Sequence, residues 1–286
     1  MDLLAPTEGE SIATVPDEEN GSEGLRYRVW GAEHPQPRAT LAVLSGVMSN
    51  TAWFRPLADR WRAMGYRVIG VERRGSGLNT EGRGDTPSAK VLVDDARRVV
   101  EHGRAAGRPL VIVGWCWGAI LGVHLAHGMG EQLDGLALLT PGLYPSERIS
   151  ARMKALGKEG KGQPPEAAVL DSPIEDEMFT TGPALDAFVR RDEARWRRFS
   201  PRFLEVSSRL SMAARMRLRK LALPLFVALA EDDATTDNEK IVAELARLPE
   251  ERVRTTFLPG AHGLQFEAPQ ALAERLDAWA RDALGV

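Results

Sequence analysis

Cys116 is the only cysteine in this chain of 286 residues, and its neighbours indicate a chemical role. It lies at the centre of Gly114-Trp-Cys-Trp-Gly118, after an apolar run at 110–113 and before an apolar helical pattern. Such a strand–turn–helix arrangement exposes a nucleophile at a strained turn, and the small flanking residues let strand and helix pass closely. A helix N-terminus and a nearby imidazolium both favour a thiolate. A single cysteine cannot form an internal disulfide or a thiolate zinc cluster, so Cys116 is either a buried apolar residue or a reactive thiol, and its neighbours lead us to predict a nucleophile.

A histidine and a carboxylate follow the last two predicted strands, where partners of a nucleophile would be needed. His262 lies in the loop after the final strand, at the sheet edge where ligands bind, and we predict that it is the general base. Asp233 follows the preceding strand and is predicted to accept the imidazole N–H and fix its tautomer. Asp232 is the alternative for that role, whereas Glu231 is expected to face solvent. The remaining histidines are expected to be structural: His34, His102, His124 and His127.

Backbone amides near the cysteine could bind an oxyanion. The strand that ends near residue 44 is followed by Ser45-Gly-Val47, and we predict that the N–H groups of Val47 and Trp117 stabilise a tetrahedral intermediate. The glycine-rich turn at 72–79 follows the next strand but lacks the strand–helix pattern of a phosphate loop. We therefore interpret that turn as scaffold that could contact the site.

Parallel strands must bring these residues together. Short β-branched runs alternate with helical patterns, which predicts an α/β fold with a mostly parallel sheet and helices on both faces. Apolar residues at helical spacing predict helices at 53–64, 91–102 and 269–284. The predicted strands span residues 39–44, 67–71, 110–113, 135–139, 225–229 and 252–258.

The strand–helix rhythm stops between residues 143 and 221, where aromatic residues are scattered among charged ones. We predict a flexible acidic N-terminus at 1–24, a core formed by 25–142 and 222–286, and an inserted helical cap or lid at 143–221. Within the cap, Phe179 and Phe188 are predicted to contact the substrate, as is Trp115 beside the cysteine. We expect the core to carry the catalytic residues without help from the cap.

Composition excludes several classes of partner. The formal net charge is −3 and the basic residues are scattered among acidic ones, so no binding to nucleic acid is expected. The start of the chain lacks a basic and apolar signal pattern, which predicts a cytoplasmic location. No apolar run approaches the roughly 18 residues needed to span a bilayer, so no membrane insertion is expected. No metal site is predicted.

Five motifs in this order resemble those of α/β-hydrolases of the monoacylglycerol lipase and lysophospholipase type: Ser45-Gly-Val47, Arg74-Gly-Ser-Gly77, Gly114-Trp-Cys-Trp-Gly118, Glu231-Asp-Asp233 and Gly260-Ala-His-Gly263. The resemblance covers nearly all of the chain after residue 25. It implies the α/β-hydrolase fold, with an eight-stranded core, a helical lid, and esterase, lipase or thioesterase chemistry without a cofactor. The chain departs from the family pattern at Ser45, where histidine is usual, and at Cys116, where most members have serine. Dienelactone hydrolases and polyhydroxyalkanoate synthases also carry G-x-C-x-G.

A cysteine nucleophile directs the functional prediction toward activated acyl groups. The acyl-enzyme would itself be a thioester, which amines, thiols or an internal hydroxyl intercept nearly as well as water. We therefore predict a hydrolase that acts on a small-molecule thioester, ester or lactone, free or linked to a carrier. The alternatives are an acyltransferase or cyclase of a biosynthetic pathway, and a catalytically silent protein of the same fold that only binds a small ligand.

Overall fold

The computed structural model describes residues 5–16 and 24–286, and its strands form one large sheet and one small pair. The strands of the large sheet are β1 (Glu10–Val15), β2 (Leu25–Trp30), β3 (Thr40–Leu44), β4 (Arg67–Val71), β5 (Leu110–Trp115), β6 (Gly135–Leu139), β9 (Leu225–Ala230) and β10 (Val253–Leu258). The small antiparallel pair consists of β7 (Leu170–Asp171) and β8 (Arg198–Phe199). The large sheet has the order β1-β2-β4-β3-β5-β6-β9-β10.

The large sheet is parallel except at one edge. β2 pairs antiparallel with both β1 and β4, and all other neighbours are parallel. The central strands β3, β5, β6 and β9 are buried at every position because helices cover both faces of the sheet. This confirms the predicted eight-stranded, mostly parallel sheet, and all six predicted strands coincide with observed ones to within two residues.

The expectation of a flexible N-terminus does not hold for Glu10–Val15, which forms the edge strand β1. Each of its residues pairs with β2. The buried Glu10 carboxylate binds Arg28, also buried, and accepts a hydrogen bond of 2.7 Å from Arg55 Nε. The pairing of all these charges removes the penalty of leaving a buried carboxylate alone. Residues 1–4 and 17–23, which belong to the same predicted segment, lie outside the described residues.

Helices flank the sheet and fill the stretch between β6 and β9. They are α1 (Arg55–Ala63), α2 (Ala89–Gly103), α3 (Trp117–Met129), α4 (Glu147–Glu159), α5 (Pro183–Arg191), α6 (Pro201–Leu218), α7 (Asn238–Leu245), α8 (Leu264–Glu267) and α9 (Pro269–Leu284), with short 3₁₀ turns at 51–54, 130–132, 176–178 and 250–252. The N-terminus of α6 is set by Ser200, whose hydroxyl accepts the Phe203 N–H, and by Pro201 in the first turn. Within the described ranges, no helix is both long and apolar enough to cross a membrane.

Candidate active site

Cys116 occupies a strained turn between β5 and α3. Its backbone has φ 55° and ψ −121°, a region that L-residues seldom adopt. The turn needs glycine on both sides, since a Cβ on Gly118 would lie 2.2 Å from the Leu44 oxygen and one on Gly114 would lie 2.6 Å from the Ala119 Cα. The turn is further fixed by a 2.9 Å hydrogen bond from the Gly142 N–H to the Cys116 carbonyl. The thiol is therefore held at the carboxyl end of β5, at the start of α3.

His262 and Asp233 form a buried pair next to this turn. The Nδ1 atom of His262 lies 2.8 Å from Asp233 Oδ2, and both side chains are inaccessible to solvent. Asp233 is oriented by Thr235 and Thr236, whose hydroxyls donate to its carboxylate at 2.7 and 2.8 Å. Asp232, the alternative acid, is exposed instead. The structure thus brings Asp233 to the imidazole and leaves Asp232 at the surface.

The electrostatics of this pair favour a protonated imidazole. Burial alone would disfavour the charge, but the carboxylate of Asp233, and secondly Cys116, outweigh it and raise the pKa of His262 to about 10. Burial likewise opposes ionisation of Asp233, yet the charge of His262 and the bonds from His262 and Thr235 lower the pKa of Asp233 to about 2. His262 Nε2 has no hydrogen bond of normal geometry in the described part of the chain, although the thiol is close enough to interact with the ring. The remaining nitrogen is therefore free for proton transfer at the sulfur.

The two predicted oxyanion donors lie beside the thiol. Val47 and Trp117 line the same small cavity as Cys116. A Cβ on Gly46 would come within 3.2 Å of the Cys116 Cβ, so the loop after β3 lies directly against the cysteine. Among the described residues, neither the Val47 nor the Trp117 N–H donates to another group. Both amides are thus available to a ligand oxygen.

Sequence reasoning missed Arg73, which lies directly below this loop. Arg73 is buried, and its guanidinium donates to backbone carbonyls between Ser45 and Ser49. Burial lowers the pKa of Arg73 to about 10, so the side chain keeps its charge at neutral pH. Its position in a glycine-rich turn after β4 indicated scaffold that could contact the site, but no local pattern shows which distant carbonyls a side chain will bind.

The cavity at the thiol is small and apolar. Its volume is about 90 Å³, and one wall consists of side chains from α4 and α6, including Ile149, Met153, Phe203 and Leu204. A larger groove of about 1260 Å³ along α2 is lined mainly by charged residues and contains none of the three predicted catalytic residues. We assign the candidate site to the small cavity, because Cys116 and both predicted oxyanion donors line it, together with Thr235 and Thr236, whose hydroxyls bind Asp233.

The three side chains predicted to contact substrate lie elsewhere. Trp115 is fully buried, its indole N–H donates to the His262 carbonyl at 3.0 Å, and its ring lies 5.5 Å from the imidazole. Phe179 packs on the other rings of this cluster, and its carbonyl accepts the Gly263 N–H at 2.8 Å. Phe188 packs against Trp53, also outside the cavity. These aromatic residues contact the histidine loop or its neighbours, whereas the cavity wall combines aliphatic residues of α4 and α6 with the rings of Phe199 and Phe203.

The arrangement of these parts defines the class of protein. A mostly parallel eight-stranded sheet with a strained elbow after β5, a carboxylate after β9 and a histidine after β10 is an α/β-hydrolase fold. In the described part of the chain, no cluster of three or more His, Cys, Asp or Glu side chains is arranged to hold a metal ion.

Comparison with known proteins agrees with this class and identifies the family. The family described as serine aminopeptidase, S33, matches residues 35–269, and the chain belongs to it. The protein is therefore a hydrolase of the α/β-hydrolase superfamily. The predicted resemblance to monoacylglycerol lipases is confirmed at this level.

Individual relatives are distant. The phospholipase YtpA of Bacillus subtilis (strain 168) is 23% identical over 224 residues, which cover 75% of this chain and 83% of that protein. A soluble variant of the monoglyceride lipase from Saccharomyces cerevisiae, solved with a substrate analogue, has a TM-score of 0.79 at 16% identity and covers 95% of this chain and 96% of its own. The monoacylglycerol lipase of Paleococcus ferrophilus has a TM-score of 0.75 at 17% identity, covering 89% of this chain and 99% of its own. At these identities the structural likeness concerns the fold.

Proposed function

We propose that the protein transfers the acyl group of an activated substrate to Cys116 and then to water or another acceptor. Cys116 is the nucleophile, His262 the acid and base, and Asp233 the group that orients His262. The observation that carries this proposal is the elbow cysteine at positive φ beside a buried imidazole whose other nitrogen binds a buried carboxylate. A strained backbone and a buried ion pair both cost folding free energy, and a catalytically silent protein of this fold would gain nothing from them.

The reaction follows from the positions of these groups. A protonated His262 stabilises a thiolate at Cys116, and the sulfur attacks the acyl carbon. The carbonyl oxygen takes up the displaced electron pair and accepts hydrogen bonds from the N–H groups of Val47 and Trp117. Collapse of this intermediate expels the leaving group, which takes the proton from His262. The neutral imidazole then removes a proton from water or another acceptor, which attacks the thioester and releases the acyl product from Cys116.

The substrate class is a small thioester, ester or lactone with an apolar acyl part. A sulfur nucleophile favours activated acyl groups, of which thioesters are the natural example. The apolar cavity wall beside the thiol suits an acyl chain rather than a charged group. The relatives named as a phospholipase and as monoglyceride lipases support an ester-related substrate class.

The segment at 143–221 acts as a cap over the core at 25–142 and 222–286. Its helices α4 and α6 supply one wall of the cavity. The Trp117 indole N–H of the core donates to Ser207 Oγ of α6 at 2.7 Å, which ties the cap to the elbow. The cap therefore selects the acyl group, while the sheet supplies the reactive groups.

Mass spectrometry of the intact protein tests the proposal. The protein is incubated with a panel of acyl thioesters, esters and lactones and quenched in acid at short times. We expect an added acyl mass on the wild-type protein and none on Cys116→Ala, with the best substrates adding mass fastest. A panel that leaves no adduct, or an adduct that persists on Cys116→Ala, contradicts the acyl-cysteine mechanism and favours a ligand-binding protein.

The same experiment measures where the acyl group goes. Acylated protein is diluted into buffer alone or into buffer with an added amine or thiol, and the free acid and the transfer product are quantified. Predominance of the acid identifies a hydrolase in the strict sense. A product formed with the added acceptor in preference to water identifies acyl transfer through the same intermediate.

A further inference from the structure

Arg73 is a buried cation that hydrogen-bonds to backbone oxygens rather than to a carboxylate. Its Nη1 donates to the Ser45 and Gly46 carbonyls at 3.3 and 3.0 Å, and its Nη2 donates to the Val47 carbonyl at 2.9 Å. A longer contact of 3.5 Å joins Nη2 to the Ser49 carbonyl. The adjacent carboxylate of Glu72 is instead hydrogen-bonded to Thr51. The hydrogen bonds of the guanidinium therefore hold the loop after β3.

These bonds determine the direction of an amide. The Gly46 carbonyl and the Val47 N–H belong to the same planar peptide, and the described peptide bonds are all trans. In a trans peptide the C=O and the N–H point in opposite directions. Because Arg73 holds the Gly46 oxygen, the Val47 N–H must point away from the guanidinium. Val47 lines the same cavity as Cys116, so its N–H, which has no partner among the described residues, is available to a ligand in that cavity.

Arg73 also contacts the residue that carries the second free amide. Its guanidinium carbon lies 5.1 Å from the centroid of the Trp117 ring and 5.1 Å from the centroid of the Trp196 ring. The backbone N–H of Trp196 donates at 2.8 Å to the Met48 carbonyl of the same loop. Cation–π contacts with two indoles, together with the hydrogen bonds to the loop, hold the guanidinium in place. One side chain thus links the loop after β3 to the start of α3.

Burying a guanidinium that is hydrogen-bonded to carbonyls and not to a carboxylate costs folding free energy. A role for these hydrogen bonds in the site accounts for its burial. We propose that Arg73 is a positioning residue that fixes the Val47 amide, relative to Trp117, as an oxyanion donor. This inference rests on the proposed acyl-cysteine function. Substitution of Arg73 should therefore slow the attack of Cys116 on a carbonyl carbon, because only that reaction forms an oxyanion. It matters much less when the same sulfur is alkylated.

Two reactions of Cys116 therefore separate this role from a general structural one. Iodoacetamide alkylates the thiol by displacement at a saturated carbon and needs no oxyanion site, whereas a thioester substrate needs one. For Arg73→Met, we expect the rate of acylation to fall by about 100-fold, the range seen when one oxyanion donor is lost. Alkylation should change by less than about 5-fold, and the loss should appear in kcat rather than in KM.

Arg73→Lys keeps a buried cation with fewer donors and should recover part of the acylation rate. The control is Arg83→Met, because Arg83 also binds two carbonyls, those of Glu193 and Ala194, away from the cavity. The control should keep both rates. Thermal unfolding of each variant shows that it is folded, and if Arg73→Met is not, the comparison is made with Arg73→Lys.

The outcomes distinguish this inference from the proposed function. A wild-type protein that is not acylated at Cys116 refutes the proposed function and the inference together. A wild-type protein that is acylated, with Arg73 variants that match it, refutes only the inference. Equal losses of acylation and alkylation also refute it, since they indicate a structural or electrostatic effect on the thiol. If neither Arg73 variant folds, Arg73 is a stability residue and the inference is wrong.

Discussion

Replacing Asp233 by Asn removes the charge that holds His262 and keeps the size of the side chain. The 2.8 Å contact with His262 Nδ1 then joins the ring to an amide that can donate as well as accept. An amide permits the wrong imidazole tautomer and no longer stabilises the imidazolium, which costs about 10⁴-fold in the serine-protease triad. A thiolate depends less on deprotonation during the attack, so we expect kcat/KM to fall by between about 100-fold and 10⁴-fold.

The same substitution should lower the free energy of unfolding, by an amount that follows from the shift in the pKa of Asp233. That pKa falls from 3.8 to about 2, and at about 1.4 kcal/mol per pH unit this corresponds to about 2 kcal/mol of folding free energy. The stabilisation is present above pH 3.8 and is lost as the pH falls toward 2. The raised pKa of His262 gives the opposite limit, because its contribution is complete below pH 6.5 and is lost as the pH rises toward 10. Both shifts describe one interaction and are not added.

Urea unfolding and steady-state kinetics test both expectations. The stability difference between wild type and Asp233→Asn should be largest between pH 3.8 and 6.5 and should shrink outside this window. Asp232→Asn is the matched control, since Asp232 is adjacent and exposed. It should change stability by less than about 0.5 kcal/mol and leave activity nearly intact. A larger loss for Asp232→Asn, or a stability difference that does not depend on pH, would refute this account of the pair.

Three further substitutions address the nucleophile, the cavity and the elbow. Cys116→Ser should lower thioester turnover by about 100-fold or more while ester hydrolysis survives, because serine must be deprotonated during the attack; parallel kinetics on matched esters and thioesters check this. Ile149→Ala should shift acyl selectivity about 10-fold toward bulkier groups, whereas Ile241→Ala, a buried control outside the cavity, should not, as competition assays would reveal. Gly118→Ala should cost about 3 kcal/mol in urea unfolding, because its Cβ would meet the Leu44 oxygen, whereas Gly157→Ala in open space should be neutral or stabilising.

The central strands could be predicted because they are buried on both faces and are read as continuous apolar runs. β1 and β2 were missed for the opposite reason: their sequences mix charged and apolar residues at one edge of the sheet. That edge also contains a buried contact of Glu10 with Arg28 and Arg55, which lie 18 and 45 positions away. No local pattern contains such a network, so only the assembled fold reveals it.

The positions of Cys116, Asp233 and His262 were predictable because the carboxyl ends of parallel strands meet at one edge. The cavity wall was not. Aromatic residues among charged ones suggested ligand contacts at Phe179 and Phe188, but these two rings pack against tryptophan rings of the core instead. Their cluster lies beside the imidazole, whereas the space at the thiol is lined by Phe199 and Phe203 together with aliphatic residues of α4 and α6. No local pattern shows which rings of the insertion face the cavity.

The position of this aromatic cluster shows that the insertion also contacts the histidine loop, which the sequence did not predict. The core was expected to carry the catalytic residues alone, yet the Phe179 carbonyl holds the Gly263 N–H at 2.8 Å, next to His262. In the same region, the Glu267 carboxylate accepts hydrogen bonds from the Thr180 hydroxyl and the Thr181 N–H of the insertion. The insertion therefore makes two separate structural contributions. Its α4 and α6 face the cavity at Cys116, whereas the Phe179 carbonyl binds the loop of the histidine. The second contribution must be complete before any substrate enters, because the imidazole has to be aligned with the thiol for the first proton transfer.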